Sequence, residues 1–340
     1  MDMRKPAPGS GQTGMSNPLR AGKQPEKVMP KGNGMTIFHE DWMMEAASAG
    51  RWDKVEIQQN GIVVASLPYV IYRRFGTRTV GMPYYTHILG PVLLLPPTKS
   101  SRLLENSTSL IQQLIAGLPA HDRFEQVLAP NDECSVAFSL LGFTVEANYT
   151  FRMPSDQTPD HAMANMKGAR RRDIVTTFDR LTVRQHCDLN EFIAVAEMQV
   201  KDQVSRYRFN LIEPMVNVAA KHEQVAMISA YDETGQNMAT TILLYDSKVV
   251  YFWVTARNPA PGNRAYARLI WEAYLFAHAR SLILDLDGYA SLNGARYLAD
   301  FGGEPVSRNR ITRKNIRFRA LQLVNDWTQA LSNKISLLSG

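Results

Sequence analysis

Two carboxylates at the end of an apolar run are the residues best suited to chemistry in this sequence. Asp285 and Asp287 close the run LILDLDG, which we predict to be a strand that ends at the edge of an α/β sheet where ligands bind. Alternation along a strand turns both side chains to the same face. Neighbouring carboxylates can raise one another's pKa and supply a base for an amine, or bind an ammonium group or sugar hydroxyls. The alternative is that they cap the following loop and the helix near Asn293.

A loop with two tyrosines and a histidine is the second candidate. The run MPYYTHILGP places Tyr84, Tyr85 and His87 between Pro83 and Gly90, and we expect this loop to lie over a cleft. A histidine titrates near neutral pH and can act as a base. The alternative is an ordinary packed or surface histidine.

Aromatic and basic residues offer two further binding surfaces. Tyr251 and Trp253 in the run VVYFWVTA either form a platform for a sugar ring or belong to the core. Lys167 and the arginines at 170–172 form the densest basic cluster outside the N-terminal segment. This cluster either steers a polyanion such as tRNA or is the solvated face of a helix. The seven histidines show no metal-ligand spacing, so we predict no metal site.

The composition is that of a folded protein with a modest positive charge. The chain has 340 residues, of which 45% are apolar and 21% charged, and its net charge is +6. This length suits two domains, and the charge favours an anionic partner such as a cofactor phosphate, a nucleic acid or a lipid headgroup. The sequence contains neither a run of eighteen apolar residues nor a signal-peptide pattern, and we therefore expect a cytoplasmic protein.

Composition also divides the chain into segments. Residues 1–34 are rich in Gly, Pro and Lys, which predicts a disordered basic tail, or alternatively a translation start at Met35. We predict an N-terminal domain at 35–155, a C-terminal domain at 156–325 and a C-terminal tail at 326–340. Pro154 and Pro159 mark the linker between the domains.

Both predicted domains show the same order of elements. Asn60-Gly61 lies between β-rich runs and predicts a hairpin. A helix at 102–117, a strand at 124–128 and a strand in TVEANYTF follow. The second half repeats this order with strands between 225 and 255, a helix at 264–280 and a strand at 282–286. An offset of 160 residues places Gly142 on Gly302. We expect an α/β fold with a mixed sheet that splays open between two strands and forms a ligand cleft.

Three stretches carry a resemblance to a known family. They are ASLPYVIYRRFGTRTVGMPYYTHILGP at 65–91, KGARRRDI at 167–174 and LDLDGYASLNGARYLADFGGEPV at 284–306. In them the chain resembles GNAT-superfamily acyltransferases of the FemAB-like type, whose acetyltransferase-like domain occurs in proteins of cell-envelope and exopolysaccharide biosynthesis. The resemblance implies tandem GNAT-like domains, each a mixed, splayed sheet flanked by helices, with acyl donor and acceptor meeting in the cleft.

The resemblance also implies an acyl-CoA site without a metal. Donor phosphates would bind where the run VVYFWVTA turns into the long helix, because a helix start offers free N–H groups. Gly262, Asn263, Arg264 and Ala265 would form the loop and first turn, with Arg257 as a cation contact. Arg264 stands where the family's Arg/Gln-x-x-Gly-x-Gly/Ala pattern has its second glycine, and a plain capped helix is the alternative.

We therefore expect an N-acyltransferase that moves an acyl group, with acetyl as the first candidate, from acyl-CoA to an amine of a cell-envelope or exopolysaccharide precursor. The expected catalytic residues are Asp285, Asp287 and Tyr289, where Tyr289 would donate to the leaving thiolate or ester oxygen. The expected acceptor-binding residues are Tyr85, His87, Tyr251 and Trp253.

The expected partner is a small-molecule or lipid-linked glycan acceptor, with peripheral membrane contact as an option. Two alternatives remain. One is an aminoacyl-tRNA-dependent transferase that modifies peptidoglycan precursors, and the other is a non-catalytic GNAT-like binding protein.

Overall fold

The computed structural model describes residues 34–95, 99–130, 132, 134–198, 207–288 and 291–324. Two mixed seven-stranded sheets form the centre of this part of the chain, and helices cover their faces. Of the two predicted tails, only Gly34 falls within the described residues. In the described part of the chain, no helix is both long enough and apolar enough to cross a bilayer.

The strands follow one another along the chain. They are β1 (Trp52–Gln59), β2 (Ile62–Arg74), β3 (Thr77–Gly81), β4 (Val92–Leu93), β5 (Arg123–Val127), β6 (Thr144–Glu146), β7 (Tyr149–Met153), β8 (Thr182–His186), β9 (Val225–Tyr231), β10 (Asn237–Tyr245), β11 (Val249–Arg257), β12 (Ile283–Asp285), β13 (Glu304–Ser307) and β14 (Arg310–Lys314).

The helices lie between these strands, and a short 3-10 turn at Ile37–His39 precedes the first of them. They are α1 (Asp41–Ser48), α2 (Ser100–Ala116), α3 (Cys134–Leu140), α4 (Pro159–Asn165), α5 (Gly168–Phe178), α6 (Leu189–Met198), α7 (Phe209–Lys221), α8 (Ala265–His278) and α9 (Leu292–Ala299). Residues 316–324 are also helical.

The first sheet has the order β1-β2-β3-β5-β14-β6, with β4 paired to β2. Asn60 and Gly61 both have positive φ, 52° and 76°, as the two-residue turn of a twisted hairpin requires. The predicted hairpin is therefore confirmed. The predicted helix at 102–117 is also confirmed, since α2 covers it and ends at Gly117.

The second sheet has the order β13-β7-β12-β11-β10-β9-β8. The apolar runs β9, β10 and β11 form an antiparallel meander. β11 and β12 are parallel, but they pair only from Val249 with Ile283 to Tyr251 with Asp285. β11 then continues to Arg257 without this neighbour, so the sheet opens between the two strands as predicted.

The two sheets exchange strands. The run TVEANYTF is not the single strand that we predicted: β6 lies in the first sheet and β7 in the second. In the same way, β13 lies in the second sheet and β14 in the first. The two crossings run side by side, since the Arg308 N–H donates to the Asn148 carbonyl over 2.7 Å. The domain limits 35–155 and 156–325 stay a prediction, and β7 and β14 each pair in the sheet across that limit.

The internal repeat is visible in the element order. β5, α3, β6 and β7 follow one another as β12, α9, β13 and β14 do, at an offset of 160 residues. Gly142 and Gly302, which this offset aligns, both have a φ of 78° after the corresponding helix. A left-handed conformation at this point favours glycine in both copies.

Helices cover both faces of the second sheet and one face of the first sheet. On one face of the second sheet, the core around Phe252, Leu269 and Phe301 forms where α8 and α9 pack. On the opposite face, the core around Phe192 and Met215 forms where α6 and α7 pack. α2 and α3 cover the first sheet around Phe124 and Phe138. Both faces of the second sheet are therefore filled, while the face of the first sheet that carries Tyr72, Glu125 and Arg310 is left to form a site.

Candidate active site

A cavity of about 990 Å³ lies where the two sheets meet. Its walls come from β2, β3, β5, β14 and the loop at 82–87, together with Asp287 beyond the end of β12. Two carboxylates, Glu125 and Asp287, face five cations. These cations are Arg74, Arg123, Arg308, Arg310 and Lys314. Tyr72 and Tyr84 add aromatic surface, so the cavity suits an anionic ligand that carries a ring.

His87, Asp287 and Arg308 meet on the wall of this cavity. The His87 Nδ1 lies 3.4 Å from the Asp287 Oδ1, and the Arg308 Nη1 donates to the same oxygen over 2.7 Å. The His87 Nδ1 and the Arg308 Nε are buried and have no hydrogen-bond partner among the described atoms. Buried polar atoms without partners are uncommon and mark sites of ligand binding or strain.

Burial and charge set the protonation states of this group. Burial lowers the pKa of His87, and the Asp287 carboxylate only partly offsets this effect. Burial alone would raise the pKa of Asp287, but the charges of His87 and Arg308 and the hydrogen bond from Arg308 outweigh it, so the net pKa shift is downward. Because the lowered pKa of His87 leaves its ring neutral at neutral pH, the charge of Arg308 and its hydrogen bond are the contacts that favour an ionised Asp287 there. The result is a neutral imidazole beside an ionised carboxylate.

Asp285 has a different environment. Its side chain is 1% exposed and lies between Thr150, whose hydroxyl donates a short hydrogen bond to it, and Arg152, whose Nε donates over 2.8 Å. Its Oδ1 also accepts the Asp287 N–H over 2.9 Å. Asp285 therefore fixes the backbone that carries Asp287, which agrees with the capping alternative. Only Asp287 of the predicted pair lines the cavity.

Tyr85 and Trp253 hold the loop that carries His87. Tyr85 has a φ of 65°, its carbonyl accepts the Trp253 Nε1–H over 2.8 Å, and its hydroxyl accepts the Arg208 N–H over 2.9 Å. The two rings pack edge to face. Trp253 is 4% exposed, so its ring positions the loop and offers no open face to a sugar.

Tyr251 lies in the core. It is 1% exposed, its hydroxyl donates to the Asp246 carboxylate over 3.2 Å, and its ring packs on Phe38. We do not include it in the candidate site. Tyr289, predicted as an acid, lies outside the described residues.

The predicted donor loop borders a second cavity of about 790 Å³. Gly262 has a φ of 71°, and no atom lies within 4 Å of the position of an added Cβ. Arg180 and Arg264 line this cavity, but Asp232 and Glu233 do so as well. The charges on its wall therefore balance, and an anion there would depend on local contacts with the arginines.

Asn263 holds this loop together. Its Nδ2 donates to the carbonyls of Met238 and Asn258, and its Oδ1 accepts the Ala265 N–H over 2.9 Å. One amide at the start of α8 is thus already used, while Arg264, the N-cap residue, makes no side-chain capping hydrogen bond. Arg264 contacts Asp173 and Thr176 of α5.

The basic cluster at 167–172 forms ion pairs with nearby acids, and Arg257 lies apart from the two cavities. Lys167 lies 3.3 Å from Asp300, and Arg170 lies 2.6 Å from Asp173. Arg257 ends β11 and is exposed. In the described part of the chain, Arg257 does not line either cavity. A group of three His, Cys, Asp or Glu side chains suited to a metal ion does not occur within the described ranges either.

Sequence reasoning missed the basic wall of the cavity. Arg308 lies in the run SRNRITRK at 307–314, whose density of cations was the available signal. Arg123 and Arg74 come from distant parts of the chain, and only strand pairing brings them to the same cavity. The local sequence gives no indication of that strand pairing.

Comparison with known proteins supports the fold. No known protein family and no curated protein matches the sequence. Among solved structures, FemX aligns with a TM-score of 0.65 at 9% identity over 86% of this chain and 95% of its own. The C-terminal domain (DUF2156) of a protein assigned as a lysylphosphatidylglycerol synthetase from Agrobacterium fabrum aligns with a TM-score of 0.54 at 12% identity over 85% and 92%.

L-PGS from Bacillus licheniformis aligns with a TM-score of 0.52 at 9% identity, over 80% of this chain and 87% of its own. At these identities the likeness concerns the fold. The chain has a tandem GNAT-like fold of the FemAB-like type, so the fold that the resemblance implied is confirmed.

Proposed function

We propose that this protein is an N-acyltransferase that moves an acyl group from acyl-CoA, with acetyl-CoA as the first candidate, to an amine of an anionic cell-envelope or exopolysaccharide precursor. The observation that carries the proposal is the opening between β11 and β12 beyond Tyr251 and Asp285. In a GNAT-like sheet this opening is where an acyl chain would lie, and Asp287 follows the end of β12 beside it.

His87 and Asp287 supply the proton chemistry. In an acyl transfer the amine nitrogen attacks the acyl carbonyl, the thiolate leaves, and the amine loses a proton. A neutral His87 can accept this proton, and Asp287 stabilises the imidazolium that forms. Arg308 keeps Asp287 ionised and in place. A small rotation of the imidazole would shorten the 3.4 Å separation between His87 and Asp287 to hydrogen-bond length.

The donor side is the loop at 261–264 and the start of α8. Arg264 and Arg180 are the residues that would contact donor phosphates, and Gly262 leaves space beside them. The Asn263 cap on the Ala265 N–H reduces the number of amides open to an anion. The loop therefore fits phosphates through side-chain cations more than through its backbone.

The acceptor side is the basic cavity. Five cations against two carboxylates favour an acceptor that carries phosphate or carboxylate groups. Tyr72 and Tyr84 pack edge to face along the wall, and Arg208 lies over the Tyr84 ring. Tyr84 is half exposed and can stack on a sugar or a base, as aromatic rings in carbohydrate sites do.

The test is acyl transfer by the purified full chain. Acetyl-CoA is mixed with a panel of neutral amino sugars and amino-sugar nucleotides, and the release of free thiol is measured. We expect turnover with the anionic acceptors, and a loss of about a hundredfold in His87→Gln, which removes the base. His161→Gln is the matched control, since His161 is exposed and outside the cavity. Thiol release that is equal in both variants would rule out His87 as the base.

One observation favours a second candidate, an aminoacyl-tRNA-dependent transferase. The amide cap by Asn263 and the balanced charges near Gly262 weaken the case for a CoA pyrophosphate. One of the similar structures bears the name of a lysylphosphatidylglycerol synthetase, a name that denotes joining an amino acid to a lipid. A donor that binds the folded state raises its thermal stability. A shift with aminoacyl-tRNA and none with acetyl-CoA would select this second candidate.

A further inference from the structure

An exposed apolar stripe runs along the helix at 316–324. Ile316, Leu323 and Val324 are 86%, 66% and 61% exposed. Their spacing, with Ala320 between them, places all four on one side of the helix. Phe318 is half buried and points to the opposite side, where it contacts Arg123. Ile316, Ala320 and Leu323 therefore face away from the cavity, and Val324 lies at its edge.

The tip of the β2–β3 hairpin continues this surface. Phe75 at the tip is 78% exposed. The Arg317 Nη2 on the helix donates to the Gly76 carbonyl over 3.0 Å, so hairpin and helix are neighbours. Phe75, Leu321 and Val324 also line the basic cavity. We call residues 71–78 and 313–324 together the hairpin–helix surface, and it forms the rim of the cavity.

This surface carries one sign of charge. Residues 71–78 and 313–324 contain no Asp or Glu. They contain seven cations: Arg73, Arg74, Arg78, Arg313, Lys314, Arg317 and Arg319. Of the acids beside it, Asp122 is 8% exposed and accepts hydrogen bonds from Arg78 and Asn315, and Glu125 pairs with Arg123 and Arg310. Exposed cations and exposed apolar side chains are thus interleaved.

This combination fits one kind of partner. A helix with an apolar stripe flanked by arginines can lie in the plane of a bilayer, with its stripe among the acyl chains and its cations at anionic headgroups. An RNA partner would use the arginines, but it would leave the aliphatic stripe in water. The apolar residues therefore favour a membrane over a nucleic acid.

We propose that the hairpin–helix surface docks the protein on anionic lipid bilayers. In this orientation the basic cavity opens at the membrane interface. The inference goes beyond the proposed acyl transfer and does not depend on it, because docking requires neither donor nor acceptor.

The test is binding of the full chain to lipid vesicles, measured by flotation. Vesicles that contain phosphatidylglycerol are compared with vesicles of phosphatidylcholine alone. We expect binding to the anionic vesicles only, and weakening of it by added salt. The double variant Ile316→Ser/Leu323→Ser should bind about tenfold more weakly, because it removes two inserted side chains. Arg73→Gln/Arg319→Gln should weaken binding by a similar factor.

Matched controls distinguish binding through this surface from nonspecific binding by other exposed side chains. Ile62 and Leu140 are 64% and 65% exposed but lie elsewhere, so Ile62→Ser/Leu140→Ser should bind like the unmodified chain. The charge control is Arg172→Gln/Lys221→Gln, whose residues are exposed and lie outside the hairpin–helix surface. Circular dichroism should show that all variants fold.

Three results would overturn the proposal. They are no binding of the unmodified chain to anionic vesicles, binding that survives both surface variants, and loss of binding in the controls to the same extent. Binding of the unmodified chain to tRNA without binding to vesicles would assign the surface to nucleic acid instead.

Discussion

Asp285 and Asp287 are two residues apart and have different roles. Asp285 is enclosed by Thr150 and Arg152, while Asp287 has a φ of 62° and faces the cavity beside His87. The Asp285 carboxylate stabilises the turn, and the turn places the Asp287 carboxylate on the wall of the cavity. Substitutions at the two positions should therefore change different properties of the protein.

Asp287→Asn should mainly affect turnover. It removes the negative charge next to His87 and leaves Arg308 with a neutral partner, and we expect turnover to fall by about tenfold or more while stability falls by about 1 kcal/mol. Asp285→Asn should mainly affect folding, because breaking a buried ion pair costs about 3–5 kcal/mol. Turnover and urea unfolding measured for both variants check this expectation. Equal effects of the two variants on stability would contradict it.

His87 predicts the pH dependence of the reaction. The pKa of His87 lies below its ordinary value of 6.5 because of burial, so the ring is neutral and can accept a proton through the neutral range. We expect kcat/KM to be flat near neutral pH and to fall only below pH 6.5 as the ring becomes protonated. The acid limb of the profile should change in His87→Gln. A limb that persists unchanged in that variant would assign it to another group.

His39 predicts the pH dependence of stability. Burial lowers the pKa of His39 to about 4, and its Nε2 accepts the Gly90 N–H over 3.3 Å. The unfolded chain binds a proton near pH 6.5 that the folded chain does not bind. Stability is therefore complete above pH 6.5 and falls by about 3 kcal/mol as the pH drops to about 4. The free energy of unfolding of His39→Leu, measured across this pH range, should not show that share of the loss. A pH dependence identical to that of the unmodified chain would contradict this expectation.

At the scale of an element, the loop between β11 and α8 has its shape fixed by Asn263 and Gly262. Asn263 makes three hydrogen bonds to nearby backbone, to Met238, Asn258 and Ala265. Gly262 supplies the left-handed conformation and borders open space. A side chain at position 262 would meet backbone strain but no neighbour, so its size can be varied independently of the strain.

Gly262→Ala and Gly262→Trp should separate strain from occupancy. Both variants should lose about 1 kcal/mol of stability to the positive φ, but only Trp extends into the cavity beside Arg264. If this cavity holds the donor, Trp should weaken acetyl-CoA binding by about tenfold relative to Ala. Calorimetric titration of both variants checks this expectation. Equal affinity would place the donor elsewhere.

At the scale of the whole molecule, the exchange of β7 and β14 joins the two halves. Each sheet is complete only when the other half contributes a strand. Edge strands left open by a missing partner expose unpaired backbone and apolar surface. Neither half should therefore be stable by itself.

Heat should unfold the described part of the chain in one cooperative transition, because each sheet depends on both halves. Differential scanning calorimetry checks this expectation, since the calorimetric and van't Hoff enthalpies should agree. A chain divided between 155 and 156 should yield two fragments that purify together when coexpressed, and not singly. Two separate transitions, or a stable single fragment, would contradict the interdependence.

Local signals explain what the sequence could predict. The Asn60-Gly61 hairpin, the helix that ends at Gly117 and the meander of the second sheet all follow from neighbouring residues. The destination of β7 does not, because strand partners are distant in sequence and an interruption of two residues redirects the chain. His87 and Asp287 were each recognised by type, but their contact depends on that pairing. For the same reason, Arg308 could not be identified as a site residue from the sequence.

The paired crossings at 147–148 and 308–309 also determine how the molecule can move. The two short crossings are hydrogen-bonded to each other through Arg308 and Asn148. Together they should resist twisting and sliding of one sheet against the other more than a single connection would. We therefore expect the distance between the two sheets to change little when a molecule binds, so that any cover over it would be a loop. On this expectation, an acceptor too broad for the cavity would be excluded by its size.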